Sequence, residues 1–247
     1  MKVLKFGGTS VANAKSVKKV IEIISKENSK SIVIVSALSG ITDLLLDAIN
    51  SSKKSKKSFI NFLNKIEEKH LTLIKKSLKI NNQSESISFL KQKINEIESI
   101  LEGIKLLGEY SPKILSKVLC YGEILSSKII YEIIKQQLND ISFIDSRKII
   151  CTISHDNKNI VDWKRTKNNF DKKIKNIDSK LILAPGFISA NIEGEDTNLG
   201  RGGSDFTASI FASILKANIL EIWTDVSGMY TANPKIVSQA YPCLLYT

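Results

Sequence analysis

Short apolar runs alternate with stretches of helical periodicity along most of the chain. Five runs of four to six residues predict buried β-strands, at residues 2–6, 31–36, 141–144, 181–184 and 219–223. Near-continuous apolar strands separated by helices are typical of a mostly parallel sheet that is covered on both faces. The pattern therefore predicts an α/β fold, a three-layer αβα sandwich whose ligands lie at the carboxyl ends of the strands.

A long helical segment at about residues 53–110 interrupts this alternation. Its first half carries one apolar stripe, formed by Phe59, Phe62, Leu63, Ile66, His70, Leu73 and Ile74. After a polar break at 81–84, apolar residues recur at alternating spacings of three and four: Ile87, Leu90, Ile94, Ile97, Leu101 and Ile104. Two short arms joined by a turn favour an inserted antiparallel helical hairpin over an intermolecular coiled coil. His70 lies on the apolar stripe, so we expect it to pack rather than to catalyse.

The composition of the 247 residues is that of a globular domain, with 43% hydrophobic and 25% charged residues. The net charge of +11 comes almost entirely from lysines scattered over helix faces. A/T-rich codons, which Lys, Ile and Asn share, account for that excess without a partner. Because no basic stripe is interleaved with aromatic residues, we predict no nucleic-acid partner.

Cysteine usage and hydropathy indicate the cellular compartment of the protein. Cys120, Cys151 and Cys243 are odd in number and far apart, which predicts a reducing environment and no structural metal site. The chain begins without a signal segment, and no apolar run approaches the length of a membrane span. We therefore expect a cytoplasmic location and no membrane partner.

Residues that commonly bind ligands are most concentrated at 198–205, Asn-Leu-Gly-Arg-Gly-Gly-Ser-Asp. Its glycines let backbone N–H groups approach an anion, and Arg201 offers a planar fork for a carboxylate or a phosphate. Ser204 and Asp205 stand where the helix predicted over 206–215 should begin, a position that suits an anion. The alternative is an ordinary Gly-rich turn that is capped by Ser204 or Asp205.

A second Gly-rich segment follows the first predicted strand. Gly7, Gly8, Thr9 and Ser10 come directly after residues 2–6 and precede a helix, with Lys5 available as a point charge. The segment is not a P-loop, because its lysine precedes the glycines and the Gly-x4-Gly-Lys-Ser/Thr spacing is absent. Two Gly-rich anion sites of different design in one small protein indicate a phosphate-handling enzyme.

Both segments resemble motifs of the aspartate kinases, within the amino-acid kinase family. Further matching segments occur in order: Ser-Ala-Leu-Ser-Gly-Ile-Thr at 36–42, Tyr-Gly-Glu at 121–123, Pro-Gly-Phe at 185–187, and 223–235. The resemblance covers residues 1 to about 242 and includes the helical hairpin. It implies the amino-acid kinase fold and an enzyme that transfers the γ-phosphoryl group of ATP, with Mg²⁺, to the side-chain carboxylate of L-aspartate. The product would be 4-phospho-L-aspartate, in the first step toward lysine, threonine and methionine.

The resemblance also implies a role for each matching side chain. Lys5 would neutralise the phosphates, and Asp205 would hold Lys5 in place and lie near the magnesium shell. Arg201 would grip the α-carboxylate of aspartate, and Glu123 would accept from its α-ammonium group. The remaining substrate contacts would be Ser36, Ser39 and Thr42. The remaining ATP contacts would be Gly7, Gly8, Thr9, Ser10, Gly202, Gly203, Ser204, Thr224, Asp225, Tyr230 and Lys235.

Several of these residues also have a purely structural interpretation. Lys5 could be a charge at the edge of the sheet. Glu123 could be an acid near a helix N-terminus, where the macrodipole stabilises it. Thr42 could cap the helix that follows it. Tyr230 and Lys235 lie in a segment that the sequence predicts to be an exposed loop, where such residues are common.

The resemblance ends near Pro242. We therefore expect residues 1–242 to form an incomplete catalytic domain and residues 243–247 an aberrant tail, with no regulatory ACT domain. The same residues also resemble the N-terminal part of a bifunctional aspartokinase/homoserine dehydrogenase. Because family members often dimerise, the resemblance also allows a homo-oligomer.

Two alternative functions follow from this extent and from the motifs. One is an inactive truncated remnant or a partner subunit. In family members a further helix and strand line the nucleotide pocket, and their absence would weaken ATP binding. The other is a related kinase that acts on a different carboxylate, such as acetylglutamate. Arg201 together with Glu123 argues against the second, because that pair suits a free α-amino acid.

Overall fold

Strands and helices alternate along the chain, as the hydropathy pattern predicts. The computed structural model describes residues 1–53, 55–155, 158–224, 228, 230–232 and 236–243. The strands are β1 (Lys2–Phe6), β2 (Ser31–Val35), β3 (Ile141–Phe143), β4 (Cys151–His155), β5 (Lys158–Val161), β6 (Leu181–Pro185), β7 (Ile188–Asn191), β8 (Asp196–Asn198) and β9 (Ile219–Trp223). The helices are α1 (Ala14–Ile24), α2 (Ile41–Ser52), α3 (Lys56–Ser77), α4 (Gln83–Leu107), α5 (Pro112–Lys135), α6 (Trp163–Ile174) and α7 (Gly203–Leu215).

The main sheet is fully parallel, with its strands in the order β3-β6-β2-β1-β9. All of these strands correspond to the apolar runs that the sequence predicts. Because successive side chains of a strand point to opposite faces, Leu4 and Phe6 enter one apolar core while Val3 enters the other. Helices α1 to α5 cover the first face, and α6 and α7 cover the second. The predicted three-layer sandwich is therefore confirmed.

Helices α3 and α4 form the predicted hairpin. A short 3-10 turn at Ile80–Asn82 reverses the chain at the polar break. The heptad residues of α4 are buried in the core that both arms share with α2 and α5: Leu90, Ile94, Ile97, Leu101 and Ile104. The hairpin thus thickens the helical layer on one face of the main sheet.

A second, smaller sheet was not predicted. Its strands run in the order β5-β4-β7-β8, with β4 and β7 parallel and the outer pairs antiparallel. Hydroxyl groups occupy part of its interior, where Thr197 Oγ1 lies 2.7 Å from Thr152 Oγ1 and 2.8 Å from Ser189 Oγ. Such strands carry no long apolar run and therefore no hydropathy signal. The last of them, β8, leads directly into the Gly-rich segment that contains Arg201.

His70 is fully buried on the apolar stripe of α3, as expected for a packing residue. Its Nδ1 lies 2.8 Å from the carbonyl oxygen of Ile66, and its Nε2 has no partner among the described residues. Burial lowers the pKa of the imidazole to about 4, so the ring is neutral in the folded protein at physiological pH.

The burial of His70 predicts acid-sensitive folding. Between the ordinary pKa of 6.5 and the folded value of about 4, the unfolded chain binds a proton at His70 that the folded chain does not. The free energy of unfolding therefore falls as the pH drops through that window, by roughly 3 kcal/mol in all. Urea unfolding from about pH 4 to 7 should show this loss in the wild type relative to His70→Leu. A constant difference between the wild type and His70→Leu would contradict the assignment.

Candidate active site

The two Gly-rich segments meet at the carboxyl ends of the central strands. The first forms a short 3-10 turn at Gly8–Val11, directly after β1. Hydrogen bonds tie this turn to the end of β9: Gly7 N–H and Ser10 Oγ donate to the carbonyl oxygen of Trp223, at 3.1 and 3.2 Å. Thr9 is exposed on the same turn. The Gly7 N–H and the Ser10 hydroxyl are therefore engaged with β9, whereas the Thr9 side chain is exposed to solvent.

Gly8 brings this turn into contact with the loop that follows β2. A Cβ atom at Gly8 would lie only 2.8 Å from the carbonyl oxygen of Ala37. In addition, Ser39 N–H donates to the carbonyl oxygen of Gly8 at 3.2 Å. The clashing atom belongs to the backbone, so a larger residue at Gly8 would force the two segments apart. The segments predicted to bind phosphate and substrate are thus locked together.

Lys5 is an interior cation. The alternative of an edge charge is wrong, because β1 has a neighbouring strand on each side. The residue is 8% exposed, and its Nζ lies 2.7 Å from Asp205 Oδ1 at the start of α7. A buried ammonium group needs such a partner, since desolvation without one is costly. A Cβ atom at Gly7 would lie 3.6 Å from Lys5 Nζ, so the charge sits beside the turn that follows β1.

Helix α7 begins at Gly203, and Gly202 is its N-cap in a left-handed conformation with φ 72°. No side chain caps the helix, so the alternative of a turn capped by Ser204 or Asp205 is wrong. The N–H groups of a first helical turn have no carbonyl partner within the helix and carry partial positive charge. Next to Lys5, this helix start is suited to an anion.

Gly186 and Phe187 belong to the site, although sequence reasoning did not assign them a role. A Cβ atom at Gly186 would lie 2.5 Å from Ser204 Oγ, and one at Gly203 would lie 2.7 Å from Phe187 Cδ2. Phe187 has φ 63°, which is unusual for a residue other than glycine, and its N–H donates to Thr207 Oγ1 at 2.9 Å. The sequence feature that could have identified these two residues is the Pro-Gly pair at 185–186, which ends a predicted strand.

Glu123 lies in the middle of α5, so its interpretation as an acid near a helix N-terminus is wrong. The residue is 4% exposed, and its Oε1 accepts from Ala37 N–H at 3.1 Å. Its Oε2 is buried without a partner in the described structure. Burial raises the pKa of this carboxyl to about 8. A buried carboxyl with an unused oxygen is suited to a cationic donor from a ligand.

The other predicted substrate residues lie on the loop after β2 and on the start of α2. The carbonyl oxygen of Ser36 accepts from Ser126 Oγ at 2.8 Å, which fixes the loop to α5. Ser39 is exposed at the far end of this loop. Thr42 is exposed in the first turn of α2, whose N-cap is Gly40 with φ 76°. The alternative of Thr42 as the helix cap is therefore wrong.

Arg201 is exposed in the turn between β8 and α7. The strand that leads to it is firmly held, because Arg147 Nη1 donates to Asp196 at 2.9 Å. The other guanidinium nitrogens of Arg147 donate to Asp145 at 2.6 to 3.2 Å. The strand that precedes Arg201 is thus anchored, while the Arg201 side chain is exposed to solvent.

Of the four predicted ATP-binding residues that follow β9, the structure describes Thr224 and Tyr230. Thr224 borders a cavity of about 310 Å³ that it shares with the turn after β1. Tyr230 forms an isolated β-bridge further along the chain. The predicted contacts Asp225 and Lys235 lie outside the described residues. The structure therefore brings Thr224 next to the candidate phosphate-binding turn.

Metal ligation and membrane insertion can be assessed only for the described part of the chain. Within it, no group of three or more His, Cys, Asp and Glu side chains could hold a metal ion. None of the helices described there has the length and apolar character needed to cross a membrane.

Comparison with protein families matches residues 1–244 to the amino acid kinase family. The aspartokinase of Chlamydia pneumoniae is 33% identical over 243 residues, which cover 96% of this chain and 50% of that protein. The bifunctional aspartokinase/homoserine dehydrogenase of Buchnera aphidicola is 35% identical over 248 residues, which cover 97% of this chain and 30% of that protein.

Among solved structures, Escherichia coli aspartokinase III in complex with aspartate and ADP in the R-state has a similar fold. The TM-score is 0.90 at 26% sequence identity, and the match covers 98% of this chain and 53% of that one. The chain therefore spans about half the length of the aspartokinases that it matches.

The close approach of Gly8 to Ala37 predicts opposite effects of alanine at two glycines. Gly8→Ala should lower the free energy of unfolding by roughly 1–3 kcal/mol, because its Cβ overlaps a backbone oxygen. Gly103 lies inside α4 with open space at its Cβ position, so Gly103→Ala should raise stability by about 0.5–1 kcal/mol. Urea unfolding of both variants measures these changes. A Gly8→Ala protein as stable as Gly103→Ala would contradict the contact.

Proposed function

The chain belongs to the amino acid kinase family, and from this premise we propose that it transfers the γ-phosphoryl group of ATP to the side-chain carboxylate of L-aspartate. The product is 4-phospho-L-aspartate. The observation that carries the proposal is the ion pair of the buried Lys5 with the half-exposed Asp205, 2.7 Å apart, between two Gly-rich turns. The complex of the similar aspartokinase III with aspartate and ADP supports the choice of both substrates.

The difficulty of this reaction is electrostatic, because an anionic carboxylate must approach a polyanionic triphosphate. Lys5 and the N-terminus of α7 supply positive charge on the same side of the phosphates. Asp205 keeps the Lys5 ammonium group in a fixed position, so little reorganisation is needed when charge develops on the transferring group. Mg²⁺ bound by ATP would neutralise further charge on the β- and γ-phosphates.

ATP contacts follow from the two Gly-rich turns. We assign the phosphates to the backbone N–H groups and hydroxyls of these turns, with the N–H groups of Gly7 and Gly203 and the Ser10 hydroxyl leaving their present carbonyl acceptors. The residues are Gly7, Gly8, Thr9, Ser10, Gly202, Gly203 and Ser204. The cavity bordered by Thr224 supports a ribose or base contact for that residue. By family resemblance, Asp225, Tyr230 and Lys235 complete the nucleotide contacts.

Substrate contacts follow from the loop after β2 and from two charged side chains. Arg201 binds the α-carboxylate of aspartate as a bidentate fork, and Glu123 accepts from its α-ammonium group. Ser36, Ser39 and Thr42 orient the substrate with their hydroxyls. The reacting carboxylate has an ordinary pKa of about 3.9 and is already ionised, so the reaction requires no general base.

The buried carboxyl of Glu123 favours a free amino acid over an N-acylated one. An ionised carboxylate without a second partner is costly at this depth, and an ammonium group offsets that cost by charge as well as by hydrogen bonding. The amide N–H of an N-acetylated substrate is a neutral donor and offers less. The geometry therefore supports aspartate over acetylglutamate.

Replacement of Lys5 tests the proposed catalytic role. Lys5→Met should reduce aspartate-dependent ADP release by at least about a thousandfold, because the phosphates lose their fixed counter-charge. Lys2→Met is a matched control on the same strand, since Lys2 pairs with Glu27 and Glu221 at the opposite end. A coupled assay for ADP measures both variants. Activity retained by Lys5→Met would refute its role, and a wild type without aspartate-dependent ADP release would refute the proposed function.

The raised pKa of Glu123 predicts proton release when aspartate binds. At pH 7 the carboxyl is mostly protonated in the free protein, since its pKa is about 8. An incoming ammonium group favours the ionised form, so about one proton should leave per aspartate bound. Calorimetric titrations in phosphate and in Tris would then give different apparent enthalpies. Glu123→Gln should bind more weakly and without this buffer dependence. Equal enthalpies for the wild type in both buffers would exclude the coupling.

A further inference from the structure

The inserted hairpin contacts the loop that carries the predicted substrate residues. Lys69 of α3 donates from its Nζ to the carbonyl oxygen of Ser39 at 3.2 Å. The next residue, Gly40, has φ 76°, and a Cβ atom there would lie 3.3 Å from the same Nζ. The Lys69 ammonium group therefore rests against the peptide that joins the loop to α2.

The other ties of this loop come from different elements. Ser36 N–H donates to the carbonyl oxygen of Phe6, at the end of β1, at 3.2 Å. Ser39 N–H donates to the carbonyl oxygen of Gly8, in the turn after β1, also at 3.2 Å. Ala37 N–H donates to Glu123 of α5. These three bonds engage N–H groups of the loop. Two side chains donate to its carbonyl oxygens: Ser126 of α5 to that of Ser36, and Lys69 of the hairpin to that of Ser39.

The second arm of the hairpin contacts the other substrate-binding element. Tyr121 of α5 donates its hydroxyl to Glu96 Oε2 of α4 at 2.9 Å, and Lys93 of α4 donates to both oxygens of Glu96. Tyr121 stands two residues before Glu123 on α5. Each arm of the hairpin therefore contacts an element that carries a predicted substrate residue.

We propose that Lys69 is a positioning residue, through which the inserted hairpin orders the Ser39–Thr42 segment for L-aspartate. The link to aspartate rests on the proposed function, whereas the ordering of the segment does not. Lys69 does not contact the substrate in this proposal; it acts through the Ser39 carbonyl and the start of α2. Loss of one such charge-assisted hydrogen bond should weaken aspartate binding roughly three- to tenfold.

Lys69 suits a test because its side chain is exposed, so its replacement leaves the core intact. It borders a cavity of about 410 Å³ together with Ser39, Asn13 and Lys76. Lys76 lies two helical turns further along α3 and is also exposed. Lys76→Met therefore removes a charge from the same cavity wall and serves as the matched control.

The experiment combines two measurements on the wild type, Lys69→Met, Lys69→Arg and Lys76→Met. Hydrogen–deuterium exchange of the Ser39 and Ile41 amides reports the order of the segment without any ligand. Calorimetry reports the affinity for L-aspartate and, separately, for ATP. We expect faster exchange and weaker aspartate binding in Lys69→Met, with unchanged ATP affinity. Lys69→Arg should restore most of both properties, and Lys76→Met should match the wild type.

Unchanged exchange in Lys69→Met would overturn the positioning role, and so would equal changes in Lys76→Met. Faster exchange with unaltered aspartate affinity would overturn the link to the substrate. If the wild type binds no aspartate, the proposed function fails, and the exchange measurement still decides whether Lys69 orders the segment.

Discussion

The burial of an ammonium group on an interior strand is the constraint on which the candidate site depends. The cost of desolvating Lys5 is offset by Asp205, whose carboxylate stands 2.7 Å away in the first turn of α7. For the helix to begin at that point, Gly202 adopts a left-handed conformation and Gly203 packs on Phe187 without a side chain of its own. The glycines of this segment therefore allow the helix to begin where Asp205 meets Lys5.

The loop that carries the predicted substrate residues depends on hydrogen bonds from several elements. The loop after β2 is held by the turn containing Gly8, by Glu123 of α5 and by Lys69 of the hairpin. Each of these ties comes from a different part of the chain, and each meets a different atom of the loop. The position of the loop is therefore a property of the whole helical layer, and the hairpin is part of that layer.

Apolar periodicity was sufficient to predict the parallel sheet and the hairpin, because burial on both faces leaves a continuous signal in each strand and a stripe in each helix. The smaller sheet was missed, since strands such as β8 are short and partly lined by hydroxyls. Of the two interpretations of Glu123, the acid near a helix N-terminus is wrong, because the residue lies in the middle of α5. In the structure Gly122 is helical, and a Cβ atom there would lie 3.0 Å from that of Ala37. Contacts between distant segments of this kind leave no local pattern in the sequence.

The approach of Gly8 to Ala37 bears on how such a site can diversify. The turn and the loop share a backbone contact, so a substitution that moves one of them also moves the other. Under the proposed function, a change of carboxylate preference is easier to reach through Arg201, whose exposed side chain can alter charge and reach while both loops stay in place. If the proposed function holds, phosphoryl transfer and substrate choice can then evolve at different rates.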